Sequence, residues 1–397
     1  MSNQLSPNQK IRQRFWRNRP AVAGFVFILF ALLLALLGYA ITPDNTPDAN
    51  NQNMDIALRE PGFSTPLLKV KKNRPLPEVP SFFGRMAQGT PIEDDLLAYK
   101  SYVIKDDSMV VQRLSGDETV LHLADVMYAI SLNSRKIEQR DNTYFFKDIN
   151  EKEQAVEKNN LIQNIENQQL ITKKYYLGTD KFGRCLLSRL IIGVRISLLV
   201  GLVAVLISLF IGILAGSFAG YFGGRIDDAI SLVINVVWSI PTVLLVFAIV
   251  LASGRGIINI FIAVGLTMWV DVARIVRGQV MSIREMQFVE AAQSFGFSTL
   301  RILLRHILPN IIGPIMVVAA ANFATAILLE AGLSYLGFGI RPPMPSWGTM
   351  LNENYGYAIS GRPILALIPA FAIMLLVLAF NLVGNGLRDA MDVKSRA

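Results

Sequence analysis

The residues able to do covalent chemistry are few and scattered. Cys185 is the single cysteine, so neither an internal disulfide nor a thiolate metal site is available. His122 and His306 lie in different regions, and neither belongs to an HExxH arrangement. No GxxxxGK[ST] string occurs, which removes the loop whose backbone N–H groups cradle nucleotide phosphates. The chain is therefore read as no enzyme, with no cofactor or metal of its own. What remains is recognition. The densest segment for that is EAAQSFGFSTLRILLRHILPN, Glu290–Asn310.

Glu290 near a helix start suits the positive end of the helix dipole. Ala291 and Ala292 are small and permit close approach of another surface, and Gly296 permits a turn. Leu300, Leu303, Leu304 and Ile307 fall on one apolar face, with Arg301, Arg305 and His306 on the remainder. Pro309 is expected to stop the run. A helix lying on a membrane leaflet accounts for the leucines and arginines. It does not account for Glu290, Ala291, Ala292 and Gly296, which read as a docking surface.

Other polar groups fall inside apolar stretches, where they are functional candidates by default. Asn235 and Asn322 fit bonds across helices. Glu330 follows the 19-residue apolar run Ile311–Leu329; an interfacial carboxylate is the simpler reading, a charge lining an exit the sharper one. Asp271 and Arg274 are three apart and able to pair. Pro241 frees a carbonyl and kinks its helix, either as part of a pathway or joint or as a tolerated irregularity. No chain of acids crosses the membrane, which disfavours a proton-coupled pump.

These residues need apolar elements to position them. The 397 residues are 52% hydrophobic and 17% charged, against about 25% charged in soluble domains. About 20 apolar residues cross a bilayer core as a helix. Six stretches qualify: Ala21–Ile41, Ile196–Phe222, Ala229–Gly254, Gly256–Val276, Ile311–Leu329 and Ile364–Leu387. The first is too long for a signal-peptide core of about 7–15 residues. The organisation expected is a basic tail (1–19), a first span (20–41), a polar insert (42–174), an interfacial amphipathic segment (175–195), a five-helix core (196–392) holding a surface helix at 285–308, and a short tail (393–397).

The net charge of +8 marks topology, not nucleic acid. Lys10, Arg12, Arg14, Arg17 and Arg19 precede the first span with no acid before Asp44, which places the N-terminus in the cytoplasm. Six crossings return Arg388, Lys394 and Arg396 to that side, and Arg277, Arg284, Arg301 and Arg305 agree. The 42–174 insert then lies outside. It opens on a Pro/Asn/Asp-rich linker, Thr42–Asn53, and a Pro-rich stretch, Lys72–Pro80. Ser101–Leu114 and Thr119–Ile130 predict strands, and Glu151–Ile171 a polar helix. Arg184, Arg189 and Arg195 are expected in the outer headgroup layer. The second span is rich in Gly and Ala, which lets membrane helices approach closely.

EAAxxxG followed by HILPN resembles the cytoplasmic loop of membrane subunits of ABC importers, and the ending resembles the dipeptide/oligopeptide/nickel branch. LGTDKFGRCLLSRLIIGVRISL, YFGGRIDD, RIVRGQV and EAGLSYLGFGIRPPMPSWGTML are similar to that branch too. The resemblance covers Leu177–Asp392 and the first span. It implies an all-α polytopic membrane protein of six transmembrane helices, ABC importer type I permease-like, with an extra α+β extracytoplasmic insert. It implies that Glu290, Ala291, Ala292, Gly296, Leu300, His306 and Pro309 couple the chain to an ATPase. The implied partners are a second homologous permease subunit, two ATPase subunits carrying ATP and Mg, an extracytoplasmic substrate-binding protein and membrane lipids. Peptide import across a bacterial inner membrane, with both termini cytoplasmic, is the expected function. Nickel or another small solute, or a membrane anchor for the insert, are the alternatives. The chain departs from the branch twice: Cys185 stands where the family usually has Asp, and the 42–174 insert is much longer than the usual connection.

Overall fold

The computed structural model describes residues 7–75, 80–131, 136–254 and 256–391. Residues 1–6 of the expected tail 1–19, Asp392 of the expected core, and the expected tail 393–397 with Lys394 and Arg396 lie outside these residues, as does part of the Pro-rich stretch. The chain forms two compact units: the described residues of Met1–Ala35 with Gly193–Ala397, and Leu36–Ile192.

In chain order the elements begin with helices α1 (Pro7–Arg17) and α2 (Arg19–Ile41). Next come β1 (Phe63–Lys71), α3 (Phe82–Gln88), β2 (Asp94–Lys105), β3 (Ser108–Arg113), β4 (Glu118–His122) and α4 (Leu123–Met127). Then follow β5 (Glu138–Arg140), β6 (Thr143–Lys147), β7 (Glu153–Glu157), α5 (Lys158–Asn164) and β8 (Leu170–Tyr175). The remaining helices are α6 (Leu186–Phe222), α7 (Gly224–Ser239), α8 (Thr242–Ser253), α9 (Ile257–Arg284), α10 (Gln287–Ser294), α11 (Thr299–Ile302), α12 (Leu308–Tyr335), α13 (Trp347–Ile359) and α14 (Ile364–Met391).

Among the described residues, five helical stretches are long and apolar enough to span a bilayer: α2, α6, α9, α11 through α12, and α14. A sixth exists if α7 and α8 count as one, bent by 91°. The third predicted span is thus broken, and more sharply than a kink. Ile240 is extended (φ −91°, ψ 128°), and Pro241 (φ −55°, ψ 124°) caps the start of α8. Proline disfavours helical backbone in the residue before it and has no N–H for the ladder.

Glycines at one-turn spacing seat α6 on α9. A Cβ on Gly212 would overlap Val272 and the carbonyl of Trp269. On Gly216 it would strike the carbonyl of Ala273, and on Gly220 that of Arg277. Such stripes let helix backbones approach where lipid supplies no hydrophobic drive. Around them Val200 and Ala204 of α6, Val246 and Val250 of α8, Val264 and Met268 of α9, and Ala326 and Leu329 of α12 form one buried cluster. Helix α13, unforeseen from sequence, starts on a capping box. The Thr349 N–H donates to Ser346 Oγ at 3.1 Å, and the Ser346 N–H donates to Thr349 Oγ1 at 3.0 Å, satisfying two orphan helix donors reciprocally.

The second unit holds a five-stranded antiparallel sheet, order β4-β3-β2-β1-β8, and a three-stranded sheet, β5-β6-β7. Its first and last strands are neighbours, with Phe63 opposite Tyr175 and Leu68 opposite Leu170. Leu68, Met109, Val111, Leu123, Tyr144 and Phe146 fill its core. The predicted helix Glu151–Ile171 is corrected: Glu153–Glu157 is strand, and α5 runs only to Asn164 before a π turn, Ile165–Gln169. The alternation of exposed and half-buried positions in EQAVE pairs it with β6, overriding its polar composition. The strand expected at Thr119–Ile130 ends at His122, whose Nδ1 accepts the Ala124 N–H at 3.2 Å and caps α4.

The headgroup-layer reading of Arg184 and Arg189 is also corrected. Each is 1% exposed, and both point at Asp180, itself 1% exposed. Arg184 Nε donates to Asp180 Oδ2 at 2.6 Å, and Arg189 Nε lies 3.8 Å from the same oxygen. Asp180 Oδ1 accepts the N–H groups of Phe182 (2.9 Å) and Arg184 (3.0 Å). Buried ions persist when paired and hydrogen-bonded, and this loop supplies both. Cys185 lies beside Ile56, Leu67, Ala98 and Tyr175 in an apolar cluster. A carboxylate at that position would be desolvated there, which gives a physical reason for thiol in place of acid.

Candidate functional site

The recognition segment is a helical hairpin between α9 and α12. Helix α10 ends in a Schellman arrangement: the Gly296 N–H donates to the Gln293 carbonyl at 2.9 Å and the Phe297 N–H to the Ala292 carbonyl at 3.2 Å. Gly296 has φ +72°, and nothing lies within 4 Å of where a Cβ would sit. The left-handed backbone, and no steric limit, is what glycine supplies here.

One side of the hairpin is anchored. Val289 (0% exposed) and Ala292 (4%) join Val276, Val280 and Ile283 of α9 and Ile302, Leu303 and Ile307 beyond the turn. The other side is open. Glu290, Ala291 and Gly296 are exposed, with Phe295 at 80% and Leu300 at 65%. Ala292, read as part of the docking surface, instead faces the core, where a small side chain lets α10 settle close. The predicted apolar face divides: Leu303 and Ile307 are buried, whereas Leu300 and Leu304 are exposed. His306 is half-buried, its ring stacked on Phe297 at 5.9 Å, and Arg301 sits over that ring at 5.2 Å.

Pro309 does not stop the run. The helix continues through it, because the turn Leu303–Ile307 is π-helical and Pro309 falls in the first turn of α12. A π turn relieves the ladder where proline would lack a donor and meet a carbonyl. Asn310 Nδ2 donates to the His306 carbonyl at 2.6 Å.

Residues not singled out from sequence tie this hairpin to the rest of the helical unit. Tyr221, near the end of α6, receives Arg284 Nη1 on its carbonyl at 2.6 Å and Gln293 Nε2 on its hydroxyl at 3.4 Å. One residue thus touches both the end of α9 and the exposed helix α10, while a terminal carbonyl of α6 gains a cationic donor. Asp227 of α7 accepts Arg277 of α9 bidentately, at 2.5 and 2.6 Å, the geometry that suits a guanidinium fork. The strings YFGGRIDD and RIVRGQV therefore meet in space. Arg274 stacks over Trp238 at 4.0 Å, and among the described residues it makes no ion pair with Asp271, so the pair expected from the three-residue spacing is replaced by that ring contact.

The remaining candidates lie elsewhere. Asn322 is buried and donates to the Met268 carbonyl of α9 at 3.3 Å. Asn235 is exposed and makes no side-chain hydrogen bond among the described residues, so it is not glue within this chain. Glu330 is 0% exposed, and Ser334 Oγ donates to its Oε1 at 2.7 Å. It is not interfacial: a Cβ on Gly348, in the first turn of α13, would overlap Ala331 and Ser334, so α13 packs directly against this stretch of α12. Span length alone does not reveal such a returning helix.

Residues 212–396 match the family described as "Binding-protein-dependent transport system inner membrane component". Residues 6–61 match "N-terminal TM domain of oligopeptide transport permease C". Strands β1 through β8 fall between the two matches. The chain is 46% identical over 222 residues to the oligopeptide transport system permease protein OppC of Salmonella typhimurium, covering 56% of this chain and 73% of that protein. It is 42% identical over 224 residues to the dipeptide transport system permease protein DppC of Alkalihalophilus pseudofirmus, with coverage of 56% and 73%. It is 44% identical over 221 residues to the glutathione transport system permease protein GsiD of Shigella flexneri, again covering 56% and 73%. A solved inward-facing structure of the MetNI methionine ABC transporter aligns over 52% of this chain and 96% of its own, at 19% identity and a TM-score of 0.41.

Proposed function

The chain belongs to the family of binding-protein-dependent transport system inner membrane components, and from that premise we propose that it is one permease subunit of an ATP-driven peptide importer. The peptide assignment is supported by the relatives' names, which specify oligopeptide, dipeptide and glutathione transport. In this reading the chain forms half of a pathway with a second homologous permease subunit. Two ATPase subunits hold ATP and Mg, and a substrate-binding protein delivers peptide on the far side. The fold is of the type I importer class, both termini and the α10–α11 hairpin are cytoplasmic, and the unit containing β1–β8 is an extracytoplasmic insert.

One observation carries the coupling role. The hairpin exposes Glu290, Ala291, Gly296 and Leu300 while its other side is seated on α9 by Val289 and Ala292. A surface pushed by an ATPase must be exposed and must not fold away when pushed. Displacement at α10 reaches α9 and α12 through the chain, and reaches α6 through Gln293 and Tyr221. This gives a contiguous element that both sites can bias.

Glu290→Lys and Ala291→Trp each change the exposed side and keep the anchoring side, Val289 and Ala292, intact. Both are expected to insert in the membrane at normal levels, to lose peptide uptake, and to leave ATP hydrolysis unresponsive to the loaded binding protein. Uptake at the wild-type rate in both variants overturns the coupling role.

A further inference from the structure

Helix α3 of the sheet-bearing unit presents two neighbouring phenyl rings to the outside. Phe82 is 64% exposed and Phe83 80% exposed, with centroids 5.6 Å apart. Aromatic rings bury roughly 150–250 Å² each when covered, so an uncovered pair on a seven-residue helix is a poor solution in water. The helix is not loosely held. Ser81 caps it through the Gly84 N–H, and its other end is pinned to the end of the first long apolar helix.

That pinning is close. Gly89, at φ +82°, ends α3, and a Cβ there would overlap the Asn45 carbonyl and the Tyr39 ring. The Thr90 N–H donates to the Asn45 carbonyl at 2.8 Å. Tyr39 lies in the last turn of α2 and accepts the Asp48 N–H on its hydroxyl at 3.0 Å. The same closing turns of α2 expose Leu36 (63%), Leu37 (41%) and Ile41 (51%). One apolar surface therefore runs off the end of a membrane span, and α3 is fastened beside it. Seven helical residues extend only about 10 Å, which keeps the phenyls close to where the span leaves the hydrocarbon.

We propose that α3 is a membrane foot: Phe82 and Phe83 enter the boundary between acyl chains and headgroups of the lipid bilayer beside the Ile41 end of α2. Short helices with aromatic residues on one side bind that layer through buried apolar area, and aromatic side chains concentrate there. The exposed Arg85 has a stem long enough to follow the rings while its guanidinium stays at phosphate level. The proposal rests on α2 spanning the membrane, and the experiment separates the two.

The full chain with its partner subunits is reconstituted in vesicles of phosphatidylcholine and phosphatidylglycerol. The single native cysteine is 2% exposed, so a nitroxide can be placed selectively on Phe83→Cys, with Phe82→Cys as a second probe. Leu36→Cys serves as the span control and Ser101→Cys as the exposed-sheet control. Relaxation by oxygen is compared with relaxation by a water-soluble nickel chelate. The expected result is oxygen preference at positions 83, 82 and 36 and nickel preference at 101. Nickel preference at both 82 and 83 overturns the foot, as does shielding of both from either reagent, which would mean a protein covers them. Nickel preference at Leu36 removes the spanning reading and the foot with it.

Discussion

In the sheet-bearing unit Asp180 takes Arg184 and Arg189 with every partner sealed from water; in the helical unit Asp227 takes Arg277 with a third of the guanidinium side chain exposed (33%). Both are arginine–carboxylate contacts, yet they answer different demands. The sealed cluster includes two backbone N–H donors and Asn50, whose Oδ1 accepts Arg184 Nη1 at 3.3 Å. It ties residues on either side of the β-strands into one base. The half-open pair links α7 to α9 across a helical unit in which α7 and α8 already meet at a sharp break. The first contact is suited to permanence, because separating it strands ions without water. The second is suited to change, because water can replace either partner.

The largest effect that would test this contrast is at the sealed cluster. Arg184→Ala leaves Asp180 buried with one partner fewer. Breaking such a pair from one side costs about 3–5 kcal/mol, enough to abolish folded, membrane-inserted protein. Equal yield and melting temperature for this variant and the wild type would erase the distinction. At the half-open pair, Asp227→Asn should cost roughly 1–2 kcal/mol, a charged hydrogen bond discounted for partial exposure. The folded protein should be recovered with a melting temperature only a few degrees lower. A loss as severe as that of Arg184→Ala would show that exposure does not separate the two.

The smallest effect concerns a carboxylate still nearer to water. Asp107 accepts Tyr144 Oη at 2.5 Å and Lys158 Nζ at 3.0 Å, and these bonds hold its carboxyl below the usual aspartate range. The folded state thus binds the proton less readily than the unfolded one. Its contribution is fully present above the ordinary aspartate value of about 3.9 and disappears as pH falls through the lower, folded value. Acid unfolding should therefore become shallower in Asp107→Asn. Superimposable acid-unfolding curves for variant and wild type would remove this group from the series.

The spans were legible because their signal is compositional and local. Partners distant in sequence were not. Tyr221 carries no mark that Arg284 and Gln293 will converge on it, and Glu330 looked interfacial because nothing in an apolar run announces α13 folding back. Arg184 and Asp180, by contrast, stand four apart, and that spacing was available. The alternation of arginines with apolar pairs outweighed it, since the same pattern fits a lipid surface and a protein interior. Pro309 misled for a geometric reason: the rule that proline ends a helix assumes a regular ladder, and the π turn before it is not regular. In the recognition segment the exposed positions Glu290, Ala291 and Gly296 could be named from type and spacing, whereas the inward turn of Ala292 depends on which helix lies beneath.

The pairing of Phe63 with Tyr175 gives the sheet-bearing region a practical property. It departs from the chain and rejoins it at adjacent points, with the Gly62 N–H bonded to the Tyr175 carbonyl at 2.9 Å. Whatever joins those two positions need span only the gap between neighbouring strands, about 5 Å. A short turn or a fluorescent protein whose own ends lie close together meets that requirement equally well. The position is a socket: cargo exchanged there neither lengthens nor shortens the flanking chain, at a site remote in sequence from the hairpin.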